Sequence, residues 1–187
     1  MTPGSRHLAA LLALCLLGAC SRPPYPADRA ERGATRADCS HLEGRYSDAG
    51  WDHDGSPAEA LSWLLTERTR ETPEPESVEI RVEPGPRLTA VALSQGQPVA
   101  QRSYSASTAD LACSENGAVL EDYSGMTRGK TNAVVGYEGA RTALFRDADG
   151  SLVVEQSGTS VGMVFLVIPI GVSGRTWSRF PPAESVR

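Results

Sequence analysis

From residue 75 onward the chain alternates apolar and polar positions with a period of two, and short turn signals interrupt the alternation. Val78, Ile80 and Val82 are separated by Glu79 and Arg81, the pattern of a strand with one buried face. Leu88 to Leu93 is apolar on both faces apart from Thr89, which predicts a central strand; Ser94-Gln95-Gly96-Gln97 then turns the chain back into Val99 to Tyr104. Leu111-Ala112-Cys113 and Ala118-Val119-Leu120 flank Asn116-Gly117, a pair suited to the positive backbone angles of a tight hairpin. Ala133, Val135 and Tyr137 alternate. Ala140 to Phe145 and Leu152 to Val154 flank a second such turn at Asp149-Gly150, and Thr176 to Phe180 leads into Pro181-Pro182. No helical segment separates these strands, so they are expected to be antiparallel. The predicted fold is mainly β: an antiparallel sandwich or barrel of about eight strands, with one α-helix docked near the start of the domain.

The helix is expected at about 57–69. Ser56-Pro57-Ala58-Glu59 has the form of a capping box with proline at the first helical position. Ala58, Leu61, Leu64 and Leu65 fall on one face, Trp63 lies at its edge, and Pro73 follows the end. The expected core takes one large apolar residue from each element: Leu61, Leu65, Leu88, Val135, Phe145, Val154, Phe165 and Trp177. The run Val161-Gly162-Met163-Val164-Phe165-Leu166-Val167-Ile168 is too short and too interrupted by glycine to span a bilayer as a helix. It predicts a strand buried on both faces and ended by Pro169, the alternative being an exposed wall that meets lipid or an apolar ligand.

The N-terminus has a different pattern. Arg6 and His7 precede ten apolar residues, Leu8 to Leu17, half of what a bilayer-spanning helix needs. A basic start, a short apolar core and small residues describe a secretory signal segment. The closing Leu17-Gly18-Ala19-Cys20 resembles a bacterial lipobox. The resemblance implies a lipid on the Cys20 sulfur, cleavage before Cys20 and acylation of the new terminus. By the same resemblance Ser21, where an Asp would favour retention at the inner membrane, implies the outer membrane. A non-lipidated signal segment or an uncleaved anchor is the competing reading. Ser21 to Asp38, with Pro23, Pro24, Pro26 and many charges but no apolar period, reads as a tether able to reach ~60 Å when extended. The expected division is therefore a signal segment at 1–19, the lipidated Cys20 and tether at 20–38, a single β-rich domain at 39–182 and a tail at 183–187. Cys39-x₄-Gly44-x-Tyr46 resembles the opening of several small bacterial lipoproteins of unknown function. It is also similar to the Gly-x-Trp opening of lipocalins, with Tyr46 in place of Trp.

Charge and cysteines narrow the function. The chain carries 18 basic and 23 acidic residues; losing 1–19 removes Arg6 alone, leaving 17 against 23 and a net charge of −6. Nucleic-acid binding needs a basic face, which this composition argues against. Of four cysteines, Cys15 lies in the signal segment and Cys20 is the lipid site. Cys39 and Cys113 remain, and an even pair in an exported chain points to a disulfide. A metal site is the alternative, but no second Cys or His stands nearby at ligand spacing.

The chemical motifs are sparse. Gly158-Thr159-Ser160-Val161-Gly162 matches the Gly-x-Ser-x-Gly form of hydrolases, but an apolar strand follows the Ser and no histidine lies after it. His41 and His53 are the only histidines after the signal segment, and His53 sits in the polar loop Trp51-Asp52-His53-Asp54-Gly55. Trp51 is a candidate for stacking on a sugar. Asp147-Ala148-Asp149-Gly150 resembles part of a calcium loop, yet Phe145 and Gln156 occupy the places of the first and last ligands, so it reads as a turn. No catalytic set, metal or cofactor is expected. The expected role is that of a lipid-anchored, periplasm-facing envelope protein with a non-enzymatic binding or structural role, its candidate partners being another envelope protein, peptidoglycan or an apolar ligand. The alternatives are a barrel-shaped carrier of an apolar ligand and a small envelope hydrolase.

Overall fold

The computed structural model describes residues 38–85, 87–114, 117–128, 134–164 and 168–183. Among these residues ten strands form two antiparallel sheets. The strands are β1 (Gly44–Ser47), β2 (Trp51–Asp52), β3 (Ser77–Glu83), β4 (Arg87–Ser94), β5 (Gln97–Ser105), β6 (Leu111–Ser114), β7 (Gly117–Arg128), β8 (Val134–Arg146), β9 (Leu152–Val164) and β10 (Ile168–Phe180). One sheet has the order β1-β3-β4-β5 and the other β2-β10-β9-β8-β7-β6. The architecture is thus an open sandwich and not a closed barrel.

The period-two pattern maps onto burial where the sheets face each other. Val78 and Ile80 are buried and Arg81 is exposed. β4 lies between β3 and β5 and buries Leu88, Ala90 and Ala92 on one face and Val91 and Leu93 on the other, as a central strand should. Leu111, Ala118, Leu120, Leu144, Leu152 and Phe180 line the second sheet's inner face. Both turn signals close hairpins, β6–β7 and β8–β9. Of the expected core, Leu61, Leu65, Leu88, Val154 and Trp177 are buried, whereas Phe145 is half-buried. Phe165 and the Val135 side chain lie outside the described residues. Among the described residues, the largest fully buried side chains are Tyr46, Tyr104 and Phe180, none of them in the expected core.

Glycine is required at two close approaches of the backbone. Gly50, between β1 and β2, sits against β10; a Cβ there would collide with the Arg179 carbonyl oxygen. Gly117 opens β7 with φ 117° and lies so close to the Leu144 carbonyl that no side chain fits.

The helix is shorter than its pattern predicts. α1 spans Leu61–Leu65 only. Ser56 does not cap it: the Ser56 N–H and hydroxyl both donate to Asp54 Oδ1, at 2.9 and 2.6 Å. Pro57 bridges to Trp51, and the Ala58 N–H donates to the Gly50 carbonyl, so 56–60 runs extended along the second sheet. The first-turn N–H groups instead find Asp48. Leu61 N–H donates to its carbonyl at 2.9 Å and Ser62 N–H to its Oδ1 at 2.6 Å. A tertiary acceptor has overridden the local capping box. Thr66 is already extended, which ends the helix.

Tyr46 closes the inner end of the core. Its hydroxyl donates to the Leu42 carbonyl at 2.9 Å. Burial pushes its phenol pKa above the ordinary value of 10.0, opposed by the nearby Arg146 charge. Folded Tyr46 therefore keeps its proton at a pH where the unfolded chain has lost it, so this contribution is intact below pH 10 and is lost as pH climbs past it. Tyr46→Phe is expected to cost about 1 kcal/mol at neutral pH, for the lost hydrogen bond, and to flatten the fall in stability above pH 10. Denaturant titrations at pH 7 and pH 11 of both proteins check this.

Candidate functional site

β7 to β10 are long, and the first sheet covers only their lower ends. In β9, Leu152, Val153 and Val154 are buried, Glu155 to Ser157 are half-buried, and Gly158, Thr159, Val161 and Met163 are exposed. β10 is exposed from Gly171 to Thr176 and becomes buried at Trp177 and Ser178. The upper halves form a four-stranded extension about 25 Å long at 3.4 Å per residue, in which the described side chains of β8, β9 and β10 are exposed or half-buried.

The face continuous with the core carries a trough. Ala140, Gly158 and Gly174 lie in register across β8, β9 and β10. A row of Thr142, Gln156 and Thr176 stands below them and a row of Glu138, Ser160 and Val172 above. The small middle row leaves two adjoining hollows of about 320 and 370 Å3, both lined by Ala140, Gly158 and Gly174. Thr142, Gln156, Thr176, Arg141 and Arg175 border the first, and Glu138, Ser160 and Val172 the second. The opposite face pairs Tyr137 with Val161 and places Met163 above them. Exposure is 47% for Tyr137, 48% for Val161, 40% for Met163 and 73% for Val172.

The run beginning at Val161 is therefore not a strand buried on both faces. Its described residues 161–163 build the upper wall of an exposed ribbon. An unbroken apolar run has no periodicity to report burial. The glycine density carried the better signal, because Gly136, Gly139, Gly158, Gly162, Gly171 and Gly174 all fall within the extension.

The other singled-out residues are dispersed. Cys20 lies outside the described residues. Cys39 and Cys113 form a disulfide, Cα to Cα 5.4 Å, tying the start of the domain to β6. Ser160 sits within β9 and not on a strand-to-helix turn, so the Gly-x-Ser-x-Gly match lacks the geometry of a nucleophile elbow. His41 lies in a short 3-10 turn, Ser40–Leu42, whereas His53 lies in the loop after β2 with its ring 6.1 Å from that of Trp177. Trp51 is exposed at the neighbouring sheet edge.

Asp147 to Gly150 forms the β8–β9 turn. The Asp147 N–H donates to the Ser151 carbonyl, and Ser151 returns its own N–H and hydroxyl to Asp149, both at 3.0 Å. Arg179 on β10 reaches both carboxylates, pairing with Asp149 and lying 3.5 Å from Asp147. Burial pushes the Asp149 carboxyl up, but the Ser151 hydrogen bonds and the Arg179 charge outweigh it and hold the pKa below the usual range. The acids are thus engaged in clamping a turn to its neighbouring strand. Among the described residues, no group of three or more His, Cys, Asp or Glu side chains converges as metal ligands would.

Comparison with protein families, curated proteins and solved structures finds no match to this chain.

Proposed function

We propose that the protein is a lipid-anchored lipoprotein of the bacterial envelope. Cys20 holds it at the outer membrane facing the periplasm, and its role is non-enzymatic, binding an envelope protein, peptidoglycan or an apolar ligand. The observation that carries this reading is Leu17-Gly18-Ala19-Cys20 at the end of a ten-residue apolar run. Two features fit it. The Cys39–Cys113 bridge suits an oxidising compartment. The extension offers an uncovered trough and exposed apolar residues, the kind of surface that marks interaction sites. The alternative of an apolar-ligand carrier rests on a barrel and on the apolar run from Val161 to Ile168; two open sheets take away the first of these grounds.

One acyl chain binds a membrane marginally, whereas two or three hold durably. Mass spectrometry of the mature N-terminus is expected to find a diacylglyceryl group on Cys20. A Cys20→Ala chain is expected to leave the membrane fraction. Processing before residue 20 with continued membrane retention in that variant would overturn the anchor.

A further inference from the structure

The far end of the extension exposes apolar side chains on both faces and carries no acid. β9 and β10 stay paired up to Val164 and Ile168, and Phe165, Leu166 and Val167 connect them. Just below, Tyr137, Val161 and Met163 are exposed on one face and Val172 on the other. The stretches 123–137 and 156–174, which take in the far ends of β7 to β10, hold no Asp or Glu. Their only charged residues are Arg128 and Lys130, in a chain of net charge −5. Arg128 is level with Met163 by register.

We infer that this end dips into the headgroup layer of an anionic lipid bilayer, as a second membrane contact beside the lipid on Cys20. A protein partner would cover one face of the ribbon, whereas a bilayer surrounds an inserted end on every side. Exposed apolar side chains on both faces therefore favour the bilayer. Charge favours it as well, because basic residues without acidic neighbours are drawn to anionic headgroups. The depth follows from the backbone. Among the described residues, β10 has a strand neighbour only on its β9 side from Ile168 to Trp177. Its free N–H and C=O groups exclude the dry hydrocarbon core. They are tolerated at the boundary, where amphipathic segments sink ~5–10 Å. Val161 to Val164 is three steps along β9, about 10 Å at 3.4 Å per residue. That depth puts Tyr137, level with Val161, at the headgroups, where tyrosine is enriched. Glu138, the next residue down β8, then stays in water.

The anchor and the inserted end can share one membrane. Cys39 is bonded to Cys113, and register places Cys113 level with Val154. Val164 lies ten residues further along β9, about 34 Å away. The tether preceding Cys39 reaches ~60 Å when extended, so it spans that height with length to spare. Insertion this shallow is weak alone. The lipid raises the local concentration of the ribbon end to the millimolar range, which turns a weak contact into a populated one. The inference therefore rests on the Cys20 anchor, and Cys20→Ala is still expected to leave the membrane fraction.

Met163→Cys in the full chain, labelled with a nitrobenzoxadiazole fluorophore, tests it. Cys39 and Cys113 are bonded to each other, so they do not compete for the label. The chain is purified from membranes and reconstituted into vesicles of phosphatidylethanolamine and phosphatidylglycerol, and mass spectrometry checks the diacylglyceryl group on Cys20. Emission is expected to shift to the blue, to rise severalfold and to be quenched by lipids spin-labelled near the headgroup. The same label at Gln101→Cys, exposed on β5, should show neither change. Adding Val161→Asp and Val172→Asp, both at exposed positions, should abolish the response at 163 and leave the thermal midpoint unchanged. No response at 163 in a lipidated, vesicle-bound chain overturns the inference and leaves the anchor standing. A blue shift that spin-labelled lipid does not quench, and that grows with the protein-to-lipid ratio, overturns it in favour of a second copy covering the end. A chain without the diacylglyceryl group overturns the anchor, and the inference with it.

Discussion

Asp48→Ala is expected to destabilise the domain by about 3–5 kcal/mol, the cost of stranding a buried charge. Asp48 follows β1 directly in the chain and is 5% exposed. Its carboxylate accepts the Ser62 N–H at 2.6 Å and the Ser62 hydroxyl at 3.1 Å. Arg68, with a side chain only 8% exposed, approaches Oδ2 at 3.7 Å and donates to Ser62 Oγ at 3.0 Å. Removing the carboxylate uncaps α1 and leaves the guanidinium with the Ser62 hydroxyl, the Trp63 ring 4.8 Å away and one carboxylate, Glu74, at 3.6 Å on a side chain 91% exposed. An exposed partner of that kind contributes only ~0–1 kcal/mol. Asp48→Asn keeps an acceptor for the helix and should cost less. Denaturant unfolding of Asp48→Ala, Arg68→Met and the double variant forms a thermodynamic cycle. The double variant is expected to be more stable than Asp48→Ala alone, because the stranded charge is gone. Additive losses would mean that Asp48 acts only as a cap.

The same residue explains why the helix starts later than its sequence pattern predicts. Ser56-Pro57-Ala58-Glu59 is a sound local signal, yet the acceptor that starts α1 comes from 14 positions before Ser62. No local pattern encodes that. The strands were legible because alternation and hairpin turns are local: Val78 and Ile80 show the inward face directly, and Asn116-Gly117 and Asp149-Gly150 mark the reversals. The disulfide was legible from parity. Burial along the long strands was not, since the first sheet ends before β8, β9 and β10 do. Leu152 and Val161 have similar side chains and share a strand, but only Leu152 has a layer above it. The trough needed three separate strands brought into register, a non-local fact. Its components, Ala140, Gly158 and Gly174, carry no individual signal.

Loss of the Cys39–Cys113 bridge is expected to cost about 4 kcal/mol in the chain-entropy account of a long closed loop. The two residues are 74 positions apart, and the loop between them contains all of the first sheet and α1. The bridge therefore joins the start of the first sheet's chain to β6 at the edge of the second. Without it the two layers are held by the core, by the chain crossings from β1 to β2, from β2 through α1 to β3 and after β5, and by the hydrogen bonds of Ser47 N–H to the Pro181 carbonyl and Ala183 N–H to the Arg45 carbonyl. A loss of that size is a large part of a total stability of about 5–15 kcal/mol. The variant should be Cys39→Ser with Cys113→Ser, so that no lone thiol is left to oxidise. Urea unfolding is expected to show its midpoint well below that of the parent. Adding reductant during unfolding should bring the parent down to the variant's midpoint and leave the variant unmoved. If the parent keeps its midpoint with both thiols shown to be free, the core alone holds the two sheets together and the bridge adds nothing to equilibrium stability.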